Sequence, residues 1–303
     1  MNKLLFGEPN ISSYELLKSE LMKIKEELHK SSNMLSYSDK KHFWKIVGQI
    51  KRQTNPSLEI IEIASEIREE LYQKRLGVPK SVIPVLFIFT ICGIGFLLCS
   101  ITFAFEEFYP ITIILSLILL VLFMVTYIWI IQVGKTKSAI IFIIVVGLTL
   151  VYDILMINPK FQFLNELNKY YAIIAVPAFY LWGRLVGGYI GKIQFDGVSR
   201  DVFYLPTMKI NYKSYLTAPA PSRQWIFLFG GLGTVFTFLL VSSVVFLVYN
   251  DPFLYIFPIL LFLGELLDYM NLAGPLGGAE FNHLRREHKI IRDWKKNFQK
   301  VSQ

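Results

Sequence analysis

Residues 82–104 read VIPVLFIFTICGIGFLLCSITFA and contain no charged side chain. A helix needs about 20 apolar residues to cross the roughly 30 Å hydrocarbon core of a bilayer. Backbone N–H and C=O groups in that core must be satisfied within the segment, so this stretch predicts a transmembrane helix. Five more apolar runs of similar length follow, at residues 110–133, 138–157, 170–190, 224–249 and 252–271.

The composition of the 303-residue chain agrees with this reading. Hydrophobic residues make up 53% and charged residues only 18%, and the mean hydropathy is +0.46. A charge at the centre of a bilayer costs about 2.5–3.5 kcal/mol or more, which explains why charged residues crowd outside the apolar runs. The predicted fold class is therefore all-α, a polytopic helical integral membrane protein with six transmembrane helices.

The charges between the runs predict the orientation. Strongly basic connections, such as the one with Lys135 and Lys137, alternate with acidic or weakly charged ones, such as the one with Glu106 and Glu107. The positive-inside rule then places both termini in the cytoplasm of a multi-pass protein of the cell membrane. The predicted organisation is a cytoplasmic helical segment at 1–80, a transmembrane domain at 81–272 with a cytoplasmic loop at 191–223, and a basic tail at 273–303.

The net charge of +8 lies mostly beside the apolar runs. The positive-inside rule and anionic lipids account for such an excess, so a nucleic-acid partner is excluded. The predicted partners are membrane lipids and a transmembrane helix of another protein.

The segments outside the membrane predict amphipathic helices. Apolar residues at helical spacing indicate helices over about 13–28, 56–76 and 280–300. The N-terminal segment is either a helical hairpin packed on the membrane domain or an arm that binds a partner. The basic tail helix either lies along the cytoplasmic leaflet or packs against the N-terminal helices.

Four ionisable residues fall inside the predicted spans, and such residues usually face a partner or a cavity. They form a candidate intramembrane polar site: Asp153, Arg184, Glu265 and Asp268. The orientation of the spans puts all but Asp153 at a similar depth near the cytoplasmic side. This predicts an ion pair between Arg184 and either Glu265 or Asp268; the alternative is that Arg184 and Asp268 reach the interface separately.

Gly183, Gly187 and Gly191 recur every four residues in the fourth run, which favours close helix packing over ligand contact. No catalytic motif is present, and no catalytic residue, cofactor or metal is predicted. The four histidines lie outside the runs. On the tail helix, one face carries Glu280, His283 and Glu287. This face is predicted to be solvated.

The order of features over residues 170–290 resembles the membrane-embedded site-2 protease family. That family carries His-Glu-x-x-His in one span, a loop that forms strands, and an Asn-x-x-Pro-x-x-x-Leu-Asp-Gly motif in a later span. The fourth run here contains Trp182-Gly-Arg-Leu-Val-Gly-Gly188, the loop at 192–214 has an alternation typical of strands, and the last run leads into Asn271-Leu-Ala-Gly-Pro-Leu-Gly-Gly278.

The resemblance implies that the zinc ligands have been lost. It puts Gly183 and Gly187 at the histidine positions and Arg184 at the glutamate position. The third motif would be Asn271, Pro275, Gly277 and Gly278, without the aspartate. The implied protein is a pseudoprotease.

The leading functional prediction is therefore a non-catalytic membrane protein that binds a membrane helix or lipid. One alternative is a small-solute or ion transporter or channel that uses the Arg–carboxylate site. A second alternative is a membrane-embedded lipid-modifying enzyme.

Overall fold

The computed structural model describes residues 11–30, 35–53, 56–157, 167–169, 171–173, 176–200, 204–272 and 279–301. Almost all of the regular structure is helical. The helices are α1 Ile11–Lys30, α2 Tyr37–Ile50, α3 Leu58–Leu76, α4 Val82–Thr102, α5 Tyr109–Ile131, α6 Lys135–Ile157, α7 Val176–Gly191, α8 Tyr212–Thr217, α9 Ala220–Tyr249, α10 Ile256–Met270 and α11 Ala279–Val301. The two strands are β1 Phe195–Arg200 and β2 Pro206–Ile210.

Five helical segments of the described chain are long and apolar enough to cross a membrane. They are Val82–Thr102, Glu106–Ile131, Lys135–Met156, Ala220–Tyr249 and Pro252–Met270. The helix in the fourth predicted span, α7, has only 16 residues, fewer than the roughly 20 that a span needs. The chain is thus a helical protein with five candidate membrane-spanning helices among its described residues, and the sixth span stays a prediction.

Helix α9 is the centre of the membrane-length bundle. It packs against α7 along most of the length of α7, and α10 and α11 also pack on it. Helix α4 contacts α7 and α5, and α5 in turn contacts α6. Helix α9 therefore fixes the positions of α7 and α11 and of the polar side chains that they carry.

The loop between α7 and α9 forms the strands that its alternation predicts. Strands β1 and β2 pair antiparallel, with Val198 opposite Met208. Val198 also exchanges two backbone hydrogen bonds of 2.7 Å with Lys80, just before α4. These bonds attach the hairpin to the junction between the N-terminal helices and the bundle.

The N-terminal helices α1–α3 pack on the rest of the chain instead of projecting as an arm. Their apolar faces share one core with residues of α8, α9 and α11, among them Tyr215, Phe227 and Leu284. Helix α2 was not predicted. Ser36 caps it by accepting a hydrogen bond of 3.2 Å from the backbone N–H of Asp39, and its buried residues are Phe43, Ile46, Val47 and Ile50.

The tail forms the predicted amphipathic helix, α11, and the alternative that it packs against the N-terminal helices is confirmed in part, since its apolar face shares their core. Its buried residues Phe281, Leu284 and Ile290 face protein, and α11 packs mainly on α9 and α10. It also reaches the end of α2, where the Trp294 Nε1–H donates a hydrogen bond of 2.9 Å to the Arg52 carbonyl. The apolar face of the tail is therefore covered by the chain itself.

Candidate functional site

Arg184 on α7 forms an ion pair with Glu280, in the first turn of α11. The Tyr180 hydroxyl donates a further hydrogen bond of 3.3 Å to Glu280 Oε1. Gly230 on α9 makes room for the pair, because a Cβ there would lie 2.9 Å from Glu280 Oε2. The predicted partners of Arg184 were Glu265 and Asp268. The structure gives it Glu280 instead, because α11 turns back over α9 and brings its own carboxylate to Arg184.

Glu265 and Asp268 have other environments on α10. Glu265 Oε2 accepts a hydrogen bond of 3.1 Å from the backbone N–H of Phe281, so it caps the first turn of α11. Asp268 is buried, and its Oδ2 has no hydrogen-bond partner among the described residues. Asp153 belongs to a different cluster, in which the Tyr171 hydroxyl donates a bond of 2.8 Å to its Oδ1.

The three glycines of α7 lie against the backbone of α9. A Cβ at Gly183 would be 2.5 Å from the Phe229 carbonyl oxygen, and one at Gly187 would be 2.6 Å from that of Trp225. A Cβ at Gly191 would be 2.6 Å from the Ser222 carbonyl oxygen. Their four-residue spacing predicts this close helix packing.

Of the third motif in the resemblance, only Asn271 is among the described residues. It ends α10 in a left-handed conformation, with φ 62°, and its Oδ1 accepts a hydrogen bond of 2.7 Å from Arg285 Nη2. Pro275, Gly277 and Gly278 lie outside the described residues.

Glu287 on α11 is the centre of a buried polar network. The Arg223 Nε–H donates a hydrogen bond of 2.9 Å to Glu287 Oε2, the Tyr215 hydroxyl donates one of 2.8 Å to Oε1, and Lys51 forms an ion pair with the same carboxylate. Arg223 Nη2 also donates a bond of 2.9 Å to the Lys51 carbonyl. The network joins the end of α2 to α8, α9 and α11.

The solvated surface predicted for this face of the tail helix is wrong, since the Glu287 side chain is 0% exposed. Burial alone would raise the pKa of Glu287, but the charges of Lys51 and Arg223 outweigh burial and hold this pKa below its ordinary value. Glu287 is consequently a buried anion that pairs with two cations.

A cavity of about 640 Å³ lies beside this network. Its walls come from the N-terminal helices, β2, α8, the bundle helices α7 and α9, and the tail helix. The cavity is strongly basic, and Asp293 is the single carboxylate among the described residues that line it. The basic residues that line it are Lys51, Arg52, Arg68, Arg184, Arg285, Arg286 and Lys289. We call it the basic cavity.

His283 lines the basic cavity. Its ring stacks on that of Phe227, with 4.9 Å between the ring centroids. Burial lowers its pKa to about 4, and the charges of Arg286, Lys51 and Arg184 act in the same direction. The folded protein therefore disfavours protonation of the His283 ring.

Replacing His283 with phenylalanine is expected to make the protein less sensitive to acid. Below its ordinary pKa of 6.5 the histidine of the unfolded chain binds a proton, whereas the folded chain resists protonation down to a pKa of about 4. The free energy of unfolding of the natural protein should thus fall between these pH values. Thermal unfolding of both proteins in detergent between pH 7 and 4 measures the difference, and parallel pH profiles would contradict this role for His283.

Sequence reasoning missed the residues that make the basic cavity and the buried network, especially Lys51, Arg68, Arg223 and Arg285. One usable signal was present in the tail. Glu280 and Glu287 lie on the same helical face as Leu284, and that face is buried. Carboxylates on an apolar stripe predict buried partners rather than solvent.

Comparison with protein-family models, with curated proteins and with solved structures finds no match for this chain. The resemblance to the site-2 protease family therefore stays a prediction. Among the described residues, no group of three or more His, Cys, Asp or Glu side chains is placed to hold a metal ion.

Proposed function

We propose that this chain is a non-catalytic, multi-pass membrane protein that binds the headgroup of an anionic lipid in the basic cavity. The observation that carries the proposal is the imbalance of charge in the lining, with seven basic side chains against Asp293. Glu287 pairs with Lys51 and Glu280 pairs with Arg184, whereas the other cations in the lining form no ion pair with any described residue.

The position of the cavity in the chain supports a lipid ligand. Arg184 and Phe227 belong to the bundle helices α7 and α9, whereas Trp44 and Lys51 belong to the N-terminal helices. The cavity is thus a junction between membrane-length helices and amphipathic helices. In the proposed topology, with six passes and both termini in the cytoplasm, this junction faces the inner leaflet, whose anionic lipids attract basic residues by about 1 kcal/mol each.

The size of the cavity also suits a headgroup. Ligand pockets usually enclose about 300–1,000 Å³, and the basic cavity falls in that range. Aromatic side chains, including Trp44 and Tyr212, contribute to the lining and supply apolar contact beside the cations. The transporter hypothesis assigned Arg184 to a solute path, but its pairing with Glu280 gives it a structural partner, so we favour binding.

Phosphatidylglycerol is expected to bind the purified protein in neutral detergent, and phosphatidylcholine is not. Arg286 and Lys289 are exposed, so their replacement by glutamine should leave folding intact. The double variant should lose about tenfold or more in affinity for phosphatidylglycerol, because two cations leave the binding surface. Native mass spectrometry of lipid titrations measures the affinities.

The matched control replaces Arg292 and Lys295 with glutamine, since both are exposed on the same helix and do not line the basic cavity. This control variant removes two positive charges from α11, as the test variant does, and should retain its affinity for phosphatidylglycerol. Equal losses in the two double variants, or equal binding of the anionic and the neutral lipid, would refute the proposed function.

A further inference from the structure

Three arginines that line the basic cavity come from three different helices, α3, α7 and α11. Each of them has a buried N–H group that finds no hydrogen-bond acceptor in the described part of the chain. The atoms are Arg68 Nη1, Arg184 Nε and Arg285 Nε. Native structures rarely leave such charged donors without a hydrogen-bond acceptor. Three of them around one cavity therefore indicate a bound ligand that supplies the acceptor atoms.

The close contacts of Arg68 and Arg285 among the described residues are with neutral groups. The Arg68 guanidinium lies 4.4 Å from the ring centroid of Tyr212 and 5.5 Å from that of Tyr72. Arg285 Nη2 binds the neutral amide oxygens of Asn271 and Asn282, at 2.7 Å and 3.3 Å. Within the described residues, neither arginine forms an ion pair, whereas Arg184 has Glu280. The rings and amides hold the two guanidinium groups in place, and no carboxylate among the described residues binds either of them directly.

The chemistry of these groups favours phosphate over carboxylate. A guanidinium presents a planar fork of N–H donors that matches phosphate oxygens in pairs. A carboxylate has only two oxygens in one plane, and a phosphodiester has two free oxygens and one charge. A phosphate monoester has three acceptor oxygens and a charge of about −1.5 to −2 at neutral pH, which fits several arginines on different helices. The lowered pKa of His283, to which burial contributes first and nearby cations next, agrees with a positive potential there.

We propose that the basic cavity selects a phosphate monoester, with Arg68 and Arg285 as its main ligands and Arg184 as a supporting donor. This inference rests on the proposed function and names the chemistry of the headgroup. The monoester can be carried by a membrane lipid or by a free small molecule, and the two sources share the same group. The proposed function predicts the lipid.

The test titrates the purified full-length protein, in neutral detergent, with four probes that separate these chemistries. Phosphatidic acid is a lipid monoester, phosphatidylglycerol a lipid diester, oleate a lipid carboxylate, and glycerol 3-phosphate a soluble monoester. Phosphatidic acid should bind about tenfold more tightly than phosphatidylglycerol, because additional charge-assisted hydrogen bonds form. Oleate should bind weakest, and glycerol 3-phosphate should compete only at far higher concentration.

Two conservative variants locate the selectivity. Arg68→Lys and Arg285→Lys keep the charge but lose the forked donors, so together they should abolish the preference for phosphatidic acid by weakening its binding far more than that of phosphatidylglycerol. Arg292→Lys, on the exposed side of α11, should change neither affinity. If the double variant fails to fold, as thermal unfolding will show, each single variant should still reduce the preference. Exposed Arg286, replaced by glutamine, should weaken both lipids alike.

The outcomes separate this inference from the proposed function. Equal affinity for phosphatidic acid and phosphatidylglycerol, or a preference that survives both lysine variants, overturns monoester selection and leaves anionic lipid binding standing. Tight binding of glycerol 3-phosphate without binding of either lipid supports the monoester site and overturns the lipid function. Failure of all anionic probes overturns both.

Discussion

Replacing Glu287 with glutamine is expected to lower the free energy of unfolding by about 3–5 kcal/mol, the usual cost of removing one partner from a buried ion pair. The Glu287 side chain is fully buried, and the Arg223 side chain is only 3% exposed. Glutamine keeps nearly the same shape but removes the negative charge. The buried Arg223 and the partly buried Lys51 would then remain as cations beside each other, with no anion between them.

Chemical or thermal unfolding of the detergent-solubilised protein measures this effect. Glu66→Gln is the matched control, because Glu66 pairs with Lys25 at 2.5 Å on the exposed surface, where such a pair contributes about 0–1 kcal/mol. Arg223→Gln combined with Glu287→Gln should recover part of the loss, since the uncompensated cation leaves with its partner. A loss from Glu287→Gln no larger than that from Glu66→Gln would show that the network is not important for stability.

The same network predicts a pH dependence. The folded pKa of Glu287 is lowered below its ordinary value of 4.5, so its contribution to stability is complete above that pH. The contribution is lost as the pH falls through the folded pKa and the carboxylate takes up a proton. The difference in stability between the natural protein and Glu287→Gln should thus shrink below about pH 4.5.

Much of the fold could be predicted because its signals are local. The membrane-length helices follow from hydropathy, and helices α1, α3 and α11 follow from apolar residues at helical spacing. Helix α2 has equally local signals, a capping serine at Ser36 and an apolar stripe that includes Phe43 and Val47, and it was overlooked because it is short and polar elsewhere. In the fourth apolar run, hydropathy predicts a full span, whereas the described helix α7 covers 16 residues.

The candidate site could not be predicted because its contacts join distant parts of the chain. The depth argument placed Arg184 near the end of the bundle to which Glu265 belongs, but it treated the tail as separate from the bundle. The fold of α11 across α9 brings Glu280 to Arg184 and Glu287 to Lys51 and Arg223. No local pattern specifies which carboxylate reaches which cation, because long-range packing decides it.

Replacing both Gly183 and Gly187 with alanine is expected to destabilise the bundle by about 1–3 kcal/mol for each substitution, the usual cost of overpacking. The new methyl groups would meet the Phe229 and Trp225 carbonyl oxygens at 2.5 Å and 2.6 Å. These atoms belong to the backbone of α9, so no side chain can rotate away and the two helices must separate.

The matched control is Gly264→Ala on α10, where an added Cβ has nothing within 4 Å. Alanine has a better helix propensity than glycine by about 0.8–1.0 kcal/mol, so this control should be neutral or slightly stabilising. Thermal unfolding in detergent compares the variants. If Gly183→Ala and Gly187→Ala behave like Gly264→Ala, the two helices are not in close contact at these glycines.

The glycine variants also connect helix packing to binding. Arg184 lies next to Gly183 on α7, and its pair with Glu280 fits only because Gly230 on α9 leaves space for the carboxylate. Separation of α7 from α9 moves Arg184 relative to the tail helix and to the basic cavity. Affinity for phosphatidylglycerol should therefore fall in the Gly183→Ala variant, whereas Gly264→Ala should retain it. Loss of stability with unchanged lipid affinity would show that Arg184 is not needed for binding.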